Sequence, residues 1–301
     1  MRLRATFFVD HSELPYRPRR RSCTTTRFTC FACGLAAAVA VVATVDAAEP
    51  AAGTPAALAQ AMEGRRIVIL GEVHDNGTQH ALRLAALRLV IAGGARPAIA
   101  FEQFDRERQA DIDRARRERP GDAAYLIGQA GGAPSWNWDF YRPFVQLALD
   151  TGLPIVAANL SRDEAMKVAT GAVPMKPPPA DALVSRHEAP IAKGHCDLLP
   201  ASTLPAMARA QIARDRALAA AIRPHAARGV VLLTGNGHAR TDIGAPIWLE
   251  PAERAESVSI ALLERGDDAS DAGAFDIVFV TEPVDRPDPC VALRQRMSAP
   301  R

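Results

Sequence analysis

Aromatic side chains are scarce in this chain, at 5% of residues, so any local concentration of them stands out. Cysteine is also rare: there are five, and Cys23, Cys30 and Cys33 fall within the first 47 positions. Cys30-Phe31-Ala32-Cys33 is followed by Gly34 rather than His, which excludes a c-type haem attachment site. Neither sign of charge is in excess. Seven of the 36 basic and three of the 34 acidic residues lie in 1–47, leaving 29 against 31 downstream. That balance gives no footing for a nucleic-acid partner. There is no HExxH, so a helix-borne metalloprotease site is excluded, and no GxSxG to serve as a nucleophile elbow. GNGH at 235–238 lacks the Lys and Ser/Thr of a nucleotide loop. No repeat of solenoid period is present.

What is present is 301 residues, 48% hydrophobic, enough for one large or two small globular domains. Arg17, Arg19, Arg20, Arg21 and Arg27 precede an apolar run from Phe28 to Val45, and Val45-Asp46-Ala47 offers small residues for cleavage. Residues 1–47 read as a secretory signal peptide, with an uncleaved membrane anchor as the alternative. The arginines loosely resemble a twin-arginine signal, and Cys33 sits at the start of the apolar run rather than at its end, where a lipoprotein cysteine belongs. The mature chain is therefore expected in the periplasm or outside the cell. There Cys196 and Cys290 either pair or stay as two buried thiols.

An Ala- and Pro-rich stretch, 48–60, reads as a linker, 61–285 as the folded domain and 286–301 as a tail. Short apolar runs bounded by turn residues predict strands at 67–70, 97–101, 154–158, 228–234, 257–262 and 276–280. Helical spacing or propensity predicts helices over 79–92, 105–119, 141–151 and 204–222. The charge of 105–119 suits a solvated helix face. From Val173 to Pro190 the chain is proline-rich and resists regular structure around Pro177-Pro178-Pro179, so an insertion or lid near 173–200 is expected. Strands alternating with helices imply an α/β fold: a largely parallel sheet with helices on both faces and a polar site at the strand carboxyl ends. Trp136, Trp138, Phe140, Tyr141 and Phe144 crowd into nine residues, either anchoring a helix on the sheet or walling a pocket for a flat ligand.

Four strand ends carry polar residues: Glu72 with His74, Glu102, Asn159 with Arg162 one turn later, and Asn236 with His238. Residues two apart in extended chain project to the same side, so Glu72 and His74 are expected to converge. Glu72, His74 and His238 match the ligand set of zinc, iron or manganese. A carboxylate left off the metal, Glu102 or Glu72, would serve as general base to a metal-bound water. Asp75 and Asp215 are candidates to orient the imidazoles.

GEVHDNGTQH, FEQFDRERQ, WDFYRPFVQLALDTGLPIVAANLSR, the Gln211 to Asp215 helix and LLTGNGHARTDIGAP occur in this order from about Arg65 to Leu249. Together they resemble the ChaN-like haem-binding uptake proteins of the Tiki, TraB and erythromycin-esterase-like superfamily. The resemblance implies an α/β fold and a secreted or lipid-anchored protein of haem or iron acquisition. Such a protein holds haem non-covalently, between two subunits of a homodimer in one arrangement, and works with outer-membrane uptake machinery. The superfamily's GxxH motifs fall on Gly71 to His74 and Gly235 to His238, and its acidic strand end on Glu102. No motif carries over the haem ligands; Tyr125, Tyr141, His187 and His195 are the candidates as exposed donors. The other reading is a metal-dependent hydrolase built on the same strand ends.

Overall fold

The apolar runs become adjacent parallel strands in a computed structural model of the chain, which describes residues 51–267 and 269–298. The leader expected over 1–47 lies outside them. The strands are β1 (Ala51–Ala52), β2 (Ile67–Leu70), β3 (Ala98–Asp105), β4 (Ile155–Asn159), β5 (Val230–Leu233), β6 (Ser257–Glu264) and β7 (Ile277–Thr281). They form one sheet in the order β1-β7-β6-β2-β5-β3-β4, with every pair parallel. The helices are α1 (Pro55–Met62), α2 (Gly77–Ala92), α3 (Gln109–Glu118), α4 (Ala123–Gln129), α5 (Trp138–Asp150), α6 (Arg162–Ala169), α7 (Asp181–Gly194), α8 (Leu204–Ile222), α9 (Asn236–Ala239), α10 (Pro251–Ala255) and α11 (Pro289–Ser298). Among the described residues no helix is long and apolar enough to cross a membrane.

Both faces of the sheet are covered, which is why the strands are continuous hydrophobic runs rather than alternating ones. Val68, Leu70, Ile99, Phe101, Val231 and Leu233 point into a core shared with α1 to α5. Ile67, Ile69, Ala98, Ala100, Val230 and Leu232 point the other way, where Leu218, Ala219 and Ile222 of α8 meet them. The aromatic segment behaves as an anchor: Tyr141 and Phe144 are buried on α5, and Trp138 lies 5.0 Å from the Phe104 ring.

Three stretches without strong periodicity are nonetheless regular. Thr54 accepts from the Ala57 amide at 3.2 Å and Pro55 takes the first turn, so the expected linker holds a helix, α1. After the three prolines, Leu183, His187 and Ile191 recur every four residues and form the buried stripe of α7. Pro190 sits inside that helix rather than ending it. Cys196 and Cys290 form a disulfide that ties the end of α7 to α11, within the expected tail.

Candidate functional site

Register places the site. Leu70, Leu233 and Phe101 are partners across β2, β5 and β3, so the next residues along each strand emerge side by side at the carboxyl edge. They are Gly71-Glu72, Thr234-Gly235 and Glu102. The backbones stay stitched beyond the strands, with the Asn236 amide donating to the Glu72 carbonyl at 3.0 Å.

Glu72, almost fully buried, is held from four sides. Its Oε1 accepts from the Tyr141 hydroxyl at 2.5 Å and from His74 Nδ1 at 3.1 Å. Its Oε2 meets the Arg83 guanidinium and lies 3.3 Å from His80 Nδ1. Arg83 is fully buried on α2, beneath the Phe144 ring, and burial lowers its pKa to about 10, so it stays charged at neutral pH. Burial pushes the Tyr141 phenol well above its ordinary value, keeping it a donor. Burial likewise lowers the His80 pKa to about 4; this imidazole donates from Nε2 to the His74 carbonyl and stacks on Phe140.

A second group faces the first. His238 Nδ1 donates to Asp215 Oδ1 at 2.6 Å, and its Nε2 lies 3.6 Å from Glu102 Oε1. The other oxygen of Glu102 accepts from the Thr234 hydroxyl at 2.7 Å and the Gly235 amide at 2.8 Å. Burial works against the charge on His238, but the Asp215 and Glu102 carboxylates outweigh it and raise the pKa to about 9. Burial works against the charge on Glu102 too; His238 and His74, with those two hydrogen bonds, outweigh it and lower the pKa.

These histidines predict how stability depends on pH. His238 favours the fold fully below its unfolded value near 6.5 and loses that contribution as pH rises through about 9. His80 acts oppositely: its contribution is present above 6.5 and lost as pH falls through about 4. Urea unfolding should therefore show greatest stability near pH 6.5, each limb worth about 3 kcal/mol. His238→Ala should flatten the alkaline limb; an unchanged alkaline limb would contradict the assignment.

Between the groups lies a cleft of about 430 Å³, walled by Val73, Pro190, Ile191 and Ile243. It holds four of the chain's seven histidines: His74, His187, His195 and His238. The proline-rich insertion thus supplies one wall, as α7. His187 donates from Nδ1 to the Leu183 carbonyl and turns Nε2 to Asp215 at 3.6 Å. His195 donates from Nδ1 to the Ile191 carbonyl at 2.7 Å. In His74 and His195, Nδ1 is engaged and Nε2 has no hydrogen-bond partner among the described residues, the arrangement of a metal-ligating imidazole. The two GxxH motifs interlock: a Cβ on Gly235 would sit 2.7 Å from the His74 ring, and one on Gly71 would strike Asn236.

Several residues singled out in the sequence sit elsewhere. Tyr125 lies outside the cleft, its hydroxyl on Glu118 at 2.6 Å, and Tyr141 is buried rather than exposed. Asp75 pairs with Arg286 at 2.9 Å instead of orienting an imidazole, whereas Asp215 does take that role. Asn159 holds Arg214 and the Leu160 amide, Arg162 is exposed at the start of α6, and Asn236 donates to the Leu262 carbonyl. None of the five clustered aromatics lines the cleft, although Trp136 flanks His74 with ring centroids 5.0 Å apart. Glu72, His74 and His238 do not assemble a metal centre. Among the described residues no group of three or more His, Cys, Asp or Glu could hold a metal ion. The physical reason is that both oxygens of Glu72 are already engaged, by Arg83, Tyr141 and His74, and His238 is held by Asp215 through Nδ1. Arg83 and His80 are the members that sequence reasoning missed. The signal was their place on the inward stripe of α2, with Leu87 and Ile91.

A family model described as haem-binding uptake, Tiki superfamily, ChaN, matches residues 58–249. Among solved structures, ChaN of Campylobacter jejuni, in a study of cofacial haem binding, is 22% identical with a TM-score of 0.59. The alignment covers 68% of this chain and 84% of that one, a likeness of fold. The type III effector HopBA1 is 16% identical, with 78% of this chain and 97% of that chain covered and a TM-score of 0.46. A variant of the erythromycin esterase EreC is 16% identical over 69% of this chain and 72% of that one, TM-score 0.43. No curated protein matches.

Proposed function

This chain belongs to the ChaN family of haem-binding uptake proteins in the Tiki superfamily, and from that premise we propose that it is an exported protein holding haem non-covalently in the four-histidine cleft, as part of haem or iron acquisition. One observation carries the reading: His74 and His195 face the cleft, each with Nδ1 tied back and Nε2 without a hydrogen-bond partner among the described residues. Glu72 behind His74 and the Ile191 carbonyl behind His195 fix the tautomer and raise the basicity of the ligating nitrogen. His238 and His187 instead turn Nε2 to Glu102 and Asp215, each at 3.6 Å. The apolar walls suit a porphyrin face. Haem would supply a redox-active, ligand-binding iron, and the His74 and His195 imidazoles would hold it between the apolar walls. Export accords with the leader and with the Cys196–Cys290 disulfide, a bond that persists in oxidising compartments.

Haemin titration followed in the Soret region tests this. Saturable one-to-one binding is expected, weakened at least tenfold by His74→Ala or His195→Ala and left intact by Tyr125→Phe. Equal affinity in both histidine variants would sink the cleft site. A second reading, hydrolysis, is favoured by the Asp215–His238–Glu102 chain, an arrangement suited to acid–base catalysis. It requires an esterase activity that His238→Ala abolishes, and failure to turn over any ester in a broad panel would remove it.

A further inference from the structure

Resting on the haem reading, we propose that the Cys196–Cys290 disulfide is a redox gate on the cleft, which holds His195 in its ligating position and releases it on reduction. Cys196 follows His195 directly, so the bond is anchored one residue from a cleft imidazole. Cys196 and Asp197 have φ of 59° and 55°, the only described non-glycine residues in the left-handed region. L-residues occupy that region at a cost and persist there only when the surroundings impose it. Backbone hydrogen bonds close this turn locally, from the Cys196 amide to the Lys193 carbonyl at 3.0 Å and from the Asp197 amide to the Ala192 carbonyl at 2.9 Å, and the disulfide is the covalent tie that joins it to α11. A shallow surface depression of about 440 Å³ lies among Gly194, His195, Cys196, Pro289 and Leu293, where the disulfide joins the two segments. Val291, on the same turn of α11, is 47% exposed.

Fixed points on either side confine the motion. Upstream, Leu183 packs with Ile212 and Ile243, and Ile191 is buried, so most of α7 stays docked. Downstream, Arg286 grips both oxygens of Glu264 at 2.6 and 2.7 Å and pairs with Asp75 at 2.9 Å. The freed segments are then about 194–199 and 287–298. A dithiol donor supplies two electrons and two protons: the Sγ–Sγ bond breaks into two thiols, and the donor closes to its own disulfide. The turn at 196–197 then relaxes and His195 leaves its place on the cleft wall.

The test compares the oxidised mature chain with the same protein reduced by dithiothreitol and with the Cys196→Ser/Cys290→Ser double variant. Hydrogen exchange is read without haem, and haemin affinity is measured on the same samples after the dithiothreitol has been removed under anaerobic conditions. Reduction and the double substitution should each speed exchange in 194–199 and 289–298 at least tenfold, leave 183–191 unchanged, and weaken haemin binding at least tenfold. Subtracting His195 first should abolish the redox dependence: His195→Ala should bind haemin with equal affinity in both states. Unchanged exchange, or equal haemin affinity in the oxidised and reduced wild-type chain, overturns the gate while leaving the haem site standing. No haemin binding by any form removes the haem reading and the gate with it.

Discussion

Arg83→Ala should cost about 3–5 kcal/mol of stability, the ordinary penalty for stranding one charge of a buried ion pair. Glu72 and Arg83 are both closed to solvent, and the remaining neighbours of the carboxylate are a phenol, His80 and His74. None replaces a guanidinium: Tyr141 remains neutral, and burial disfavours protonation of His80. The signature of this explanation is compensation. Glu72→Gln combined with Arg83→Met leaves no buried charge, retains an acceptor for the Tyr141 hydroxyl and should recover most of the loss. Urea denaturation of the two single variants and the double variant provides the comparison. A loss below 1 kcal/mol in Arg83→Ala, or strict additivity in the double variant, would contradict the ion-pair account.

Gly235→Ala should produce the opposite pattern, an intact fold with impaired binding. The new Cβ would stand 2.7 and 2.8 Å from two atoms of the His74 ring, and its three nearest neighbours all belong to that side chain. His74 is half-exposed, so its ring can turn aside and stability should change by less than about 1 kcal/mol. The turned ring leaves Glu72, and haemin affinity should fall about 10–100-fold, the scale on which disturbed partners of a metal ligand act. Gly71→Ala is the useful contrast. Its Cβ would meet Asn236 and the Ile260 carbonyl at 3.1 Å, and part of that obstacle is backbone. That variant should lose stability by about 1–3 kcal/mol, as overpacked sites do. If Gly235→Ala binds haemin like the parent, His74 is not where the iron sits.

The strands were legible because burial on both faces demands unbroken runs such as Ile67–Leu70 and Val230–Leu233, and such runs stand out in a sequence. Glu72, Glu102 and His238 could be found by the same logic, since a polar residue closing an apolar run marks a strand's carboxyl end. Arg83 could not be read as easily. An arginine on an amphipathic helix normally faces water, and only the recurrence of His80, Arg83, Leu87 and Ile91 shows that it points inward. Tyr141 was legible as aromatic mass but not as a hydrogen-bond donor to a residue 69 positions earlier. The wall formed by α7 was hidden by its prolines, because Pro190 fits within a helix whose other residues keep the four-residue spacing. The metal reading rested on residue types alone; the cations and hydrogen bonds that saturate Glu72 and His238 are visible only in three dimensions.

The location of the iron tests the central claim most directly. Crystals of the haemin-loaded mature chain, with diffraction recorded at the iron edge, give that position without reference to the porphyrin density. The account predicts an anomalous peak inside the cleft, about 2 Å from Nε2 of His74 or His195, the ordinary metal–imidazole distance. A peak beside Tyr125, or anywhere outside the wall made by α7 and the carboxyl ends of β2 and β5, would contradict it.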